Sequence, residues 1–263
     1  MVAPNGARLG RADHPALPLT IAELVDCALA CRAVGADGLH AHVRDTEGRH
    51  VLDAGLYREL LKEMAALAPR MLVQITTEAV GRYSPAEQRQ LVSAVQPAAV
   101  SVALREILSD GDLAAAMNFW REAAEAGIAV QHILYDPGEV MHLARLAASG
   151  ALPEGPLQVL YVLGRYTAGR GSAPADLTPF LDAALAFPES PDWALCAFGR
   201  TETACLAAGL IKGGKLRVGF ENNLWMADGT VAPNNAARVR EVAVMAGKSF
   251  GVTGSPHSSE PPS

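Results

Sequence analysis

The sequence has no surplus of positive charge: 28 acidic residues outnumber 22 basic ones, giving a formal net charge of −6, and no basic arm or block offsets this. Such a surface repels a phosphate backbone, so nucleic acid is excluded as the main partner. Although 50% of the residues are apolar, no run approaches the ~18 uninterrupted apolar residues that a membrane span needs. No membrane partner is expected. The opening MVAPNGARLGRAD lacks the apolar stretch of a signal peptide, and the four cysteines are not spaced as a secreted disulfide framework. A reducing, cytoplasmic setting is the expectation. A Gly-rich dinucleotide fingerprint is also missing after the first apolar run, which disfavours an open doubly wound sheet.

What the chain does contain is an alternation of short β-branched or apolar runs with segments of helical periodicity. Eight strands are read at residues 2–5, 37–44, 71–77, 98–104, 129–136, 158–164, 192–199 and 215–223. Between them, apolar residues recur at helical spacing, as in Leu24, Cys27, Ala28 and Cys31. Several helices open on a capping or proline signal: Thr20, Ser84-Pro85, Asp136-Pro137 and Pro174. Eight βα units in 263 residues predict an α/β fold, a single-domain (β/α)₈ TIM barrel over residues 1–250. The first strand is short because the chain starts at its end; an upstream start and a shortened strand are both open. Residues 251–263 are rich in Ser and Pro and read as a disordered tail.

In such a barrel the chemistry sits at the C-terminal strand ends. His40 and His42 lie two apart on the second strand, so both imidazoles point to one side. Arg217, Gly219 and Glu221 share a face of the last strand, with Glu221 at its end, where an unpaired carboxylate is costly. His40, His42 and Glu221 together form a His₂Glu set with open positions, suited to a divalent metal, with Zn²⁺ the first choice. The cysteines fit core positions better: Cys27 and Cys31 on a helix stripe, Cys196 in an apolar strand, Cys205 in an apolar helix. His132 faces either the barrel interior or the helices, and His14, His50, His142 and His257 read as surface or loop residues.

These residues, with the segments GLHAHVRDTEGRH, VQITTEAVG, VLYVLGRYTAG, KLRVGFENNL and the opening NGARLGRADHPALPLT, resemble the β-keto acid cleavage enzymes, typified by 3-keto-5-aminohexanoate cleavage enzyme. The resemblance runs from Ala3 to about Gly247. It implies a zinc-containing barrel, a transferase that combines a β-keto acid with acetyl-CoA to give acetoacetate and a new acyl-CoA, and a homo-oligomer, a tetramer by family likeness. By motif, His40, His42 and Glu221 match the metal ligands, Arg217 matches a catalytic arginine, and Thr76 and Thr77 match a substrate-contacting Ser-Thr pair. The chain departs from the pattern at several positions. Arg8 replaces a glutamate, Asn222 an aspartate next to the metal-binding Glu, and Ile133 a glutamate that suits an amino-bearing substrate. TTEAVG introduces Glu78, and Leu104-Arg105-Glu106 replace small residues.

The resemblance makes the substrate's own amino group unexpected here and leaves the proton acceptor to be found, since Asn222 cannot take a proton. Glu78 is the nearest replacement unless it is a solvated loop residue. Arg8 either favours an anionic tail or CoA phosphate, or is a loop cation. Arg217 either stabilises growing negative charge or pairs with a core carboxylate. For CoA, the loop from Gly164 and Arg165 to Gly171 offers glycines and arginines, and Gly199-Arg200-Thr201-Glu202 opens a helix. Two other readings compete: a metal-dependent barrel lyase or aldolase without CoA, and a catalytically silent barrel that binds a keto acid.

Overall fold

The structure, a computed structural model, describes residues 1–165 and 171–248. The expected tail, residues 251–263, and His257 within it lie outside the described residues. Among the described residues, seven strands form one parallel sheet: β1 (Gly38–Ala41), β2 (Leu72–Thr76), β3 (Ala99–Ala103), β4 (Ala129–Leu134), β5 (Gln158–Leu163), β6 (Asp192–Ala197) and β7 (Lys215–Leu216). Their order in the sheet is their order in the chain. A doubly wound sheet reverses order at a switch point, so that alternative is ruled out.

Helices α1 (Ile21–Ala33), α2 (Ala54–Leu67), α3 (Pro85–Val95), α4 (Leu104–Ile107), α5 (Leu113–Glu125), α6 (Pro137–Ala148), α7 (Thr178–Ala184), α8 (Glu202–Ile211) and α9 (Asn235–Met245) supply the connections and the outer layer. The capping signals act as read. Thr20 and Ser84 each form a capping box, with Glu23 and Glu87, and Asp136 accepts from the Glu139 N–H ahead of α6. Each such cap stabilises its helix by about 1 kcal/mol.

The expected first strand is reduced to one bridged residue that touches both edges of the sheet. Val2 bridges Leu39 and Val218 in parallel. Its N–H donates to Gly38 O at 2.8 Å, its carbonyl accepts from His40 N at 2.8 Å, and Ala3 N donates to Val218 O at 2.9 Å. Pro4 has no N–H with which to extend the ladder. The last strand is also shorter than expected. It ends at Leu216, with one further bridge at Val218 before Gly219, whose φ of 146° belongs to glycine and where an added Cβ lies 2.3 Å from Ala3 O. Glu221 therefore sits in a turn, not on the strand, with Asn222 N and Asn223 N donating to Gly219 O at 2.9 and 3.1 Å.

Period-two alternation splits the core in two. On β5, Val159, Tyr161 and Leu163 pack in the main core with residues of the helices, whereas Leu160 and Val162 join a second cluster with Ala103, Ile133, Cys196 and Phe198. His132 has the outward parity: its ring lies 5.8 Å from that of Trp120 on α5. Of the two options left by the sequence, the helix-facing one holds.

Candidate active site

β1 ends at Ala41, so His40 is on the strand and His42 just beyond it. Both imidazoles are buried, and the turn after β7 carries the Glu221 carboxylate to them. His40 Nε2 is 3.2 Å from His42 Nε2, and Glu221 Oε2 is 3.5 and 3.3 Å from the two nitrogens respectively. Ligands about 2.0–2.1 Å from a tetrahedral Zn²⁺ stand about 3.4 Å apart, so this triangle has the right size.

The protons fit a cation as well. His40 Nδ1 donates to Gln74 Oε1 at 2.8 Å, which leaves a lone pair on Nε2 facing the carboxylate. Glu221 Oε2 is buried without a hydrogen-bond partner. Burial opposes ionisation of Glu221, yet Arg217 and the two imidazoles hold its carboxyl well below the usual range. Burial likewise pushes His40 down to about 4 and His42 well below its ordinary value, so both stay neutral. Two neutral imidazoles and a carboxylate converging on one point are a donor set for a divalent metal.

Several residues that hold this set gave no signal in the sequence. Gln74 is opposite His40 in the β1–β2 register and donates in turn to Gln131 Oε1 at 3.2 Å. Asn5 Nδ2 donates to His42 O at 2.9 Å and to Pro18 O at 3.1 Å. Arg44 donates to Gly48 O at 2.8 Å, to Leu9 O at 3.1 Å and to Gly6 O, tying down the N-terminal loop. At Gly6, with φ of 58°, a Cβ would stand 2.6 Å from Glu221 Cγ. His50 and His14, read as surface or loop residues, are buried, His14 within a loop: His50 donates to Glu78 O at 3.0 Å, and His14 donates to Ala232 O at 2.9 Å beneath Phe220. His142 is exposed on α6, as expected.

A small cavity, open toward the mouth of the sheet, lies at the triangle. Arg217 lines it and donates to Glu221 Oε1 at 3.0 Å and to Cys196 Sγ at 3.2 Å. Glu78 enters from the loop after β2; it accepts from Arg165 Nη2 at 2.9 Å and lies 3.9 Å from half-exposed Arg8 and 3.8 Å from His42 Nδ1. Burial, opposed by Arg165 and reinforced by Glu221 and Glu106, pushes the Glu78 carboxyl up to about 7. Thr76 lines the cavity, while the Thr77 hydroxyl is turned to Ser101 O at 3.1 Å. The Ser101 hydroxyl, which the sequence did not single out, lines the cavity without a partner; its alternation with Ala99 and Ala103 was the available signal.

Asn222 is buried with both amide atoms unpartnered, but it is absent from the cavity lining and stands behind Glu221, where its carbonyl accepts from Gly199 N at 3.3 Å. Arg165, expected beside CoA phosphate, lines the cavity and lies over the Phe198 ring at 4.9 Å. Gly164 turns with φ of 79°; residues 166–170 of that loop lie outside the described residues. At the start of α8, Glu202 turns inward to Arg238 at 2.7 Å and Arg200 lies over Trp225 at 4.5 Å.

Fold and site define a class: a curled parallel α/β sheet with a His₂Glu donor set at the C-terminal ends of its strands. The chain belongs to the beta-keto acid cleavage enzyme family, whose model matches residues 1–252. It is 26% identical over 247 residues to a 3-keto-5-aminohexanoate cleavage enzyme of Fusobacterium nucleatum, covering 92% of this chain and 88% of the relative. To a 3-oxoadipate:acetyl-CoA acetyltransferase of Cupriavidus necator it is 24% identical over 252 residues, covering 93% and 86%. In fold it is similar to apo ObcA, with a TM-score of 0.71 at 16% identity over 88% of this chain; it spans 61% of the ObcA chain. No described helix is long and apolar enough to cross a membrane.

Proposed function

We propose that the chain is an acetyl-CoA-dependent β-keto acid cleavage enzyme: a β-keto acid and acetyl-CoA exchange acyl groups to give acetoacetate and a new acyl-CoA. The observation that carries this reading is the triangle of His40, His42 and Glu221 at a cavity holding Arg217 and a half-buried Glu78. The reading includes one barrel domain over residues 1–250, closed by the bridged N-terminal segment, in a cytoplasmic homo-oligomer.

His40, His42 and Glu221 hold the divalent ion, Zn²⁺ by donor type; when bound it polarises the keto and carboxylate oxygens of the substrate and so acidifies C2. Thr76 and Ser101 position the substrate. Glu78 takes a proton from C2, since a carboxyl near 7 can both accept and return one at neutral pH. Arg217 stabilises the negative charge that grows on the substrate oxygens. C2 then attacks the thioester carbonyl of acetyl-CoA, forming a carbon–carbon bond as the CoA thiolate leaves. The thiolate attacks the original keto carbon, whose bond to C2 breaks, and Glu78 returns the proton to C2. Acetoacetate and the new acyl-CoA leave in equal amounts. Arg8, at the mouth, is assigned to the anionic CoA.

The test is to incubate purified protein with acetyl-CoA and a panel of β-keto acids and to follow acetoacetate and acyl-CoA together. Equimolar appearance, dependent on acetyl-CoA and lost with a chelator, is expected. Cleavage of the keto acid without acetyl-CoA assigns a lyase instead, and binding without turnover assigns a silent barrel.

A further inference from the structure

His40 is held in one tautomer by a file of side chains that leads away from the metal ligands. A carbonyl oxygen only accepts, so Gln74 Oε1, 2.8 Å from His40 Nδ1, puts the ring proton on Nδ1 and leaves the lone pair on Nε2, toward His42 and Glu221. The tautomer therefore depends on which end of the Gln74 amide faces the ring. With the amide reversed, its NH₂ group donates to Nδ1, and the ring proton sits on Nε2, where a cation needs the lone pair.

Gln74 is buried, and its amide is fixed at the far end: Nε2 donates to Gln131 Oε1 at 3.2 Å. The two glutamines are not on neighbouring strands. In register, His40 stands opposite Gln74 on β2 and Gln74 opposite Ala99 on β3, whereas Gln131 is on β4, opposite Ser101. Neighbouring strands lie about 4.8 Å apart, so the contact crosses roughly 10 Å over β3. Ala99 shares the inward parity of Ser101 and Ala103, and its methyl group leaves that path clear. Gln131 is absent from the lining of the active-site cavity; it lines a separate cavity at the N-terminal ends of the strands, with Leu160, Ala194 and Arg217.

Resting on the metal site proposed above, we infer that Gln131 is a positioning residue of that site: by accepting from Gln74 it sets the direction of the file from His40 through Gln74, and so decides which nitrogen of His40 offers its lone pair. Only the hydrogen-bonding sense of residue 131 matters for this role. An acceptor there keeps Nε2 open, and a donor turns the Gln74 amide round and closes it. Gln131 is half-buried at the edge of the lower cavity, so a charge introduced at its position keeps contact with water.

The test compares Gln131→Glu, an acceptor, Gln131→Lys, a donor, and Gln131→Met, which offers neither, each alone and combined with Gln74→Leu. Zinc affinity is measured by competition with a chromogenic chelator, and the His40 tautomer of the metal-free proteins by NMR of the imidazole nitrogens. Gln131→Glu should keep both the Nδ1–H tautomer and the affinity. Gln131→Lys should move His40 to the Nε2–H tautomer and weaken zinc binding on the order of 10–100-fold, with Gln131→Met between the two. In the Gln74→Leu background the three should bind zinc alike, because the path is cut. A His40 tautomer that is the same in all three single variants overturns the inference. So does a difference between Gln131→Glu and Gln131→Lys that persists without Gln74, which assigns a through-space effect of charge. Equal loss of zinc in all three overturns it in favour of packing. Wild-type protein that shows the Nδ1–H tautomer but binds no zinc sustains the file and refutes the metal reading, and the expected zinc pattern without acetoacetate from any keto acid sustains the inference and refutes the cleavage reading.

Discussion

Gly6→Ala tests whether the N-terminal loop is part of the metal centre. Gly6 has φ of 58°, and the Cβ of an alanine there would lie 2.6 Å from Glu221 Cγ and 3.1 Å from Glu221 Cβ. Left-handed backbone costs an L-residue about 1–2 kcal/mol. The steric part is the larger one. Carbon atoms pack at about 3.5–4.0 Å, so the stem of Glu221 has to retreat by roughly 1 Å. Its Oε2 is 3.3 Å from His42 Nε2 and 3.5 Å from His40 Nε2, and a shift of that size ends the convergence of the three ligands. Disturbing the residues that merely orient metal ligands weakens binding on the order of 10–100-fold, and displacing a ligand should do at least as much. Gly10→Ala is the control, because no atom lies within 4 Å of a Cβ there. Zinc affinity by competition with a chromogenic chelator, and thermal unfolding with and without chelator, should show a loss for Gly6→Ala and none for Gly10→Ala. Wild-type affinity in Gly6→Ala refutes the reasoning, and equal loss in both variants reduces it to general loop damage.

Three other outcomes follow from the same geometry. Gln74→Leu frees the proton on His40 Nδ1 and should weaken zinc binding on the order of 10–100-fold with little change in circular dichroism; unchanged affinity removes Gln74 from the site. Arg217→Lys keeps a cation beside Glu221 and so should keep its metal, but it lacks the guanidinium fork and should lose on the order of 10²–10³ in kcat; full activity ends the catalytic role. Burial alone pushes His132 down to about 4, while the unfolded chain binds that proton near 6.5. Stability from this residue is therefore complete above about pH 6.5 and lost as pH falls toward 4, at up to ~1.4 kcal/mol per pH unit. Thermal midpoints of His132→Phe should fall less steeply than wild type across that window, and parallel curves would contradict the burial argument.

The sequence carried the alternation of elements and the capping positions well, because both depend on nearest neighbours and on period. It misplaced the ends of two strands for a different reason. The N-terminal strand ends after its bridges at Val2 because Pro4 follows, and the pairing of the last strand ends at Val218 because Gly219 adopts a conformation in which a Cβ would meet Ala3 O. Parity along a strand put Glu221 on the same face as Arg217. The structure brings Glu221 to the imidazoles through a turn, so the residue was legible and the path to it was not. Arg165 shows the limit most clearly: its motif pointed to phosphate, but its partner is Glu78 from a loop after β2. Pairings across the mouth of a curled sheet leave no periodic trace, and the burial of His50 and His14 escaped notice for the same reason.

One short segment of this chain both joins the two edges of the sheet and frames the candidate metal site. His42 follows the first strand of the sheet and Glu221 the last, and residues 1–6 join the two edges. Val2 is bonded to both edge strands, Ala3 O accepts from Glu221 N at 3.1 Å, and Asn5 Nδ2 holds His42 O at 2.9 Å. The same short segment therefore sets the spacing between a ligand at one edge and a ligand at the other. Val2 and Ala3 are fully buried in doing so. A metal held by all three residues would favour the form in which this segment joins the two edges, so its binding free energy would add to the stability of that form. The N-terminal segment is thereby held from both sides, by its ladder with the edge strands and by the ligands it aligns.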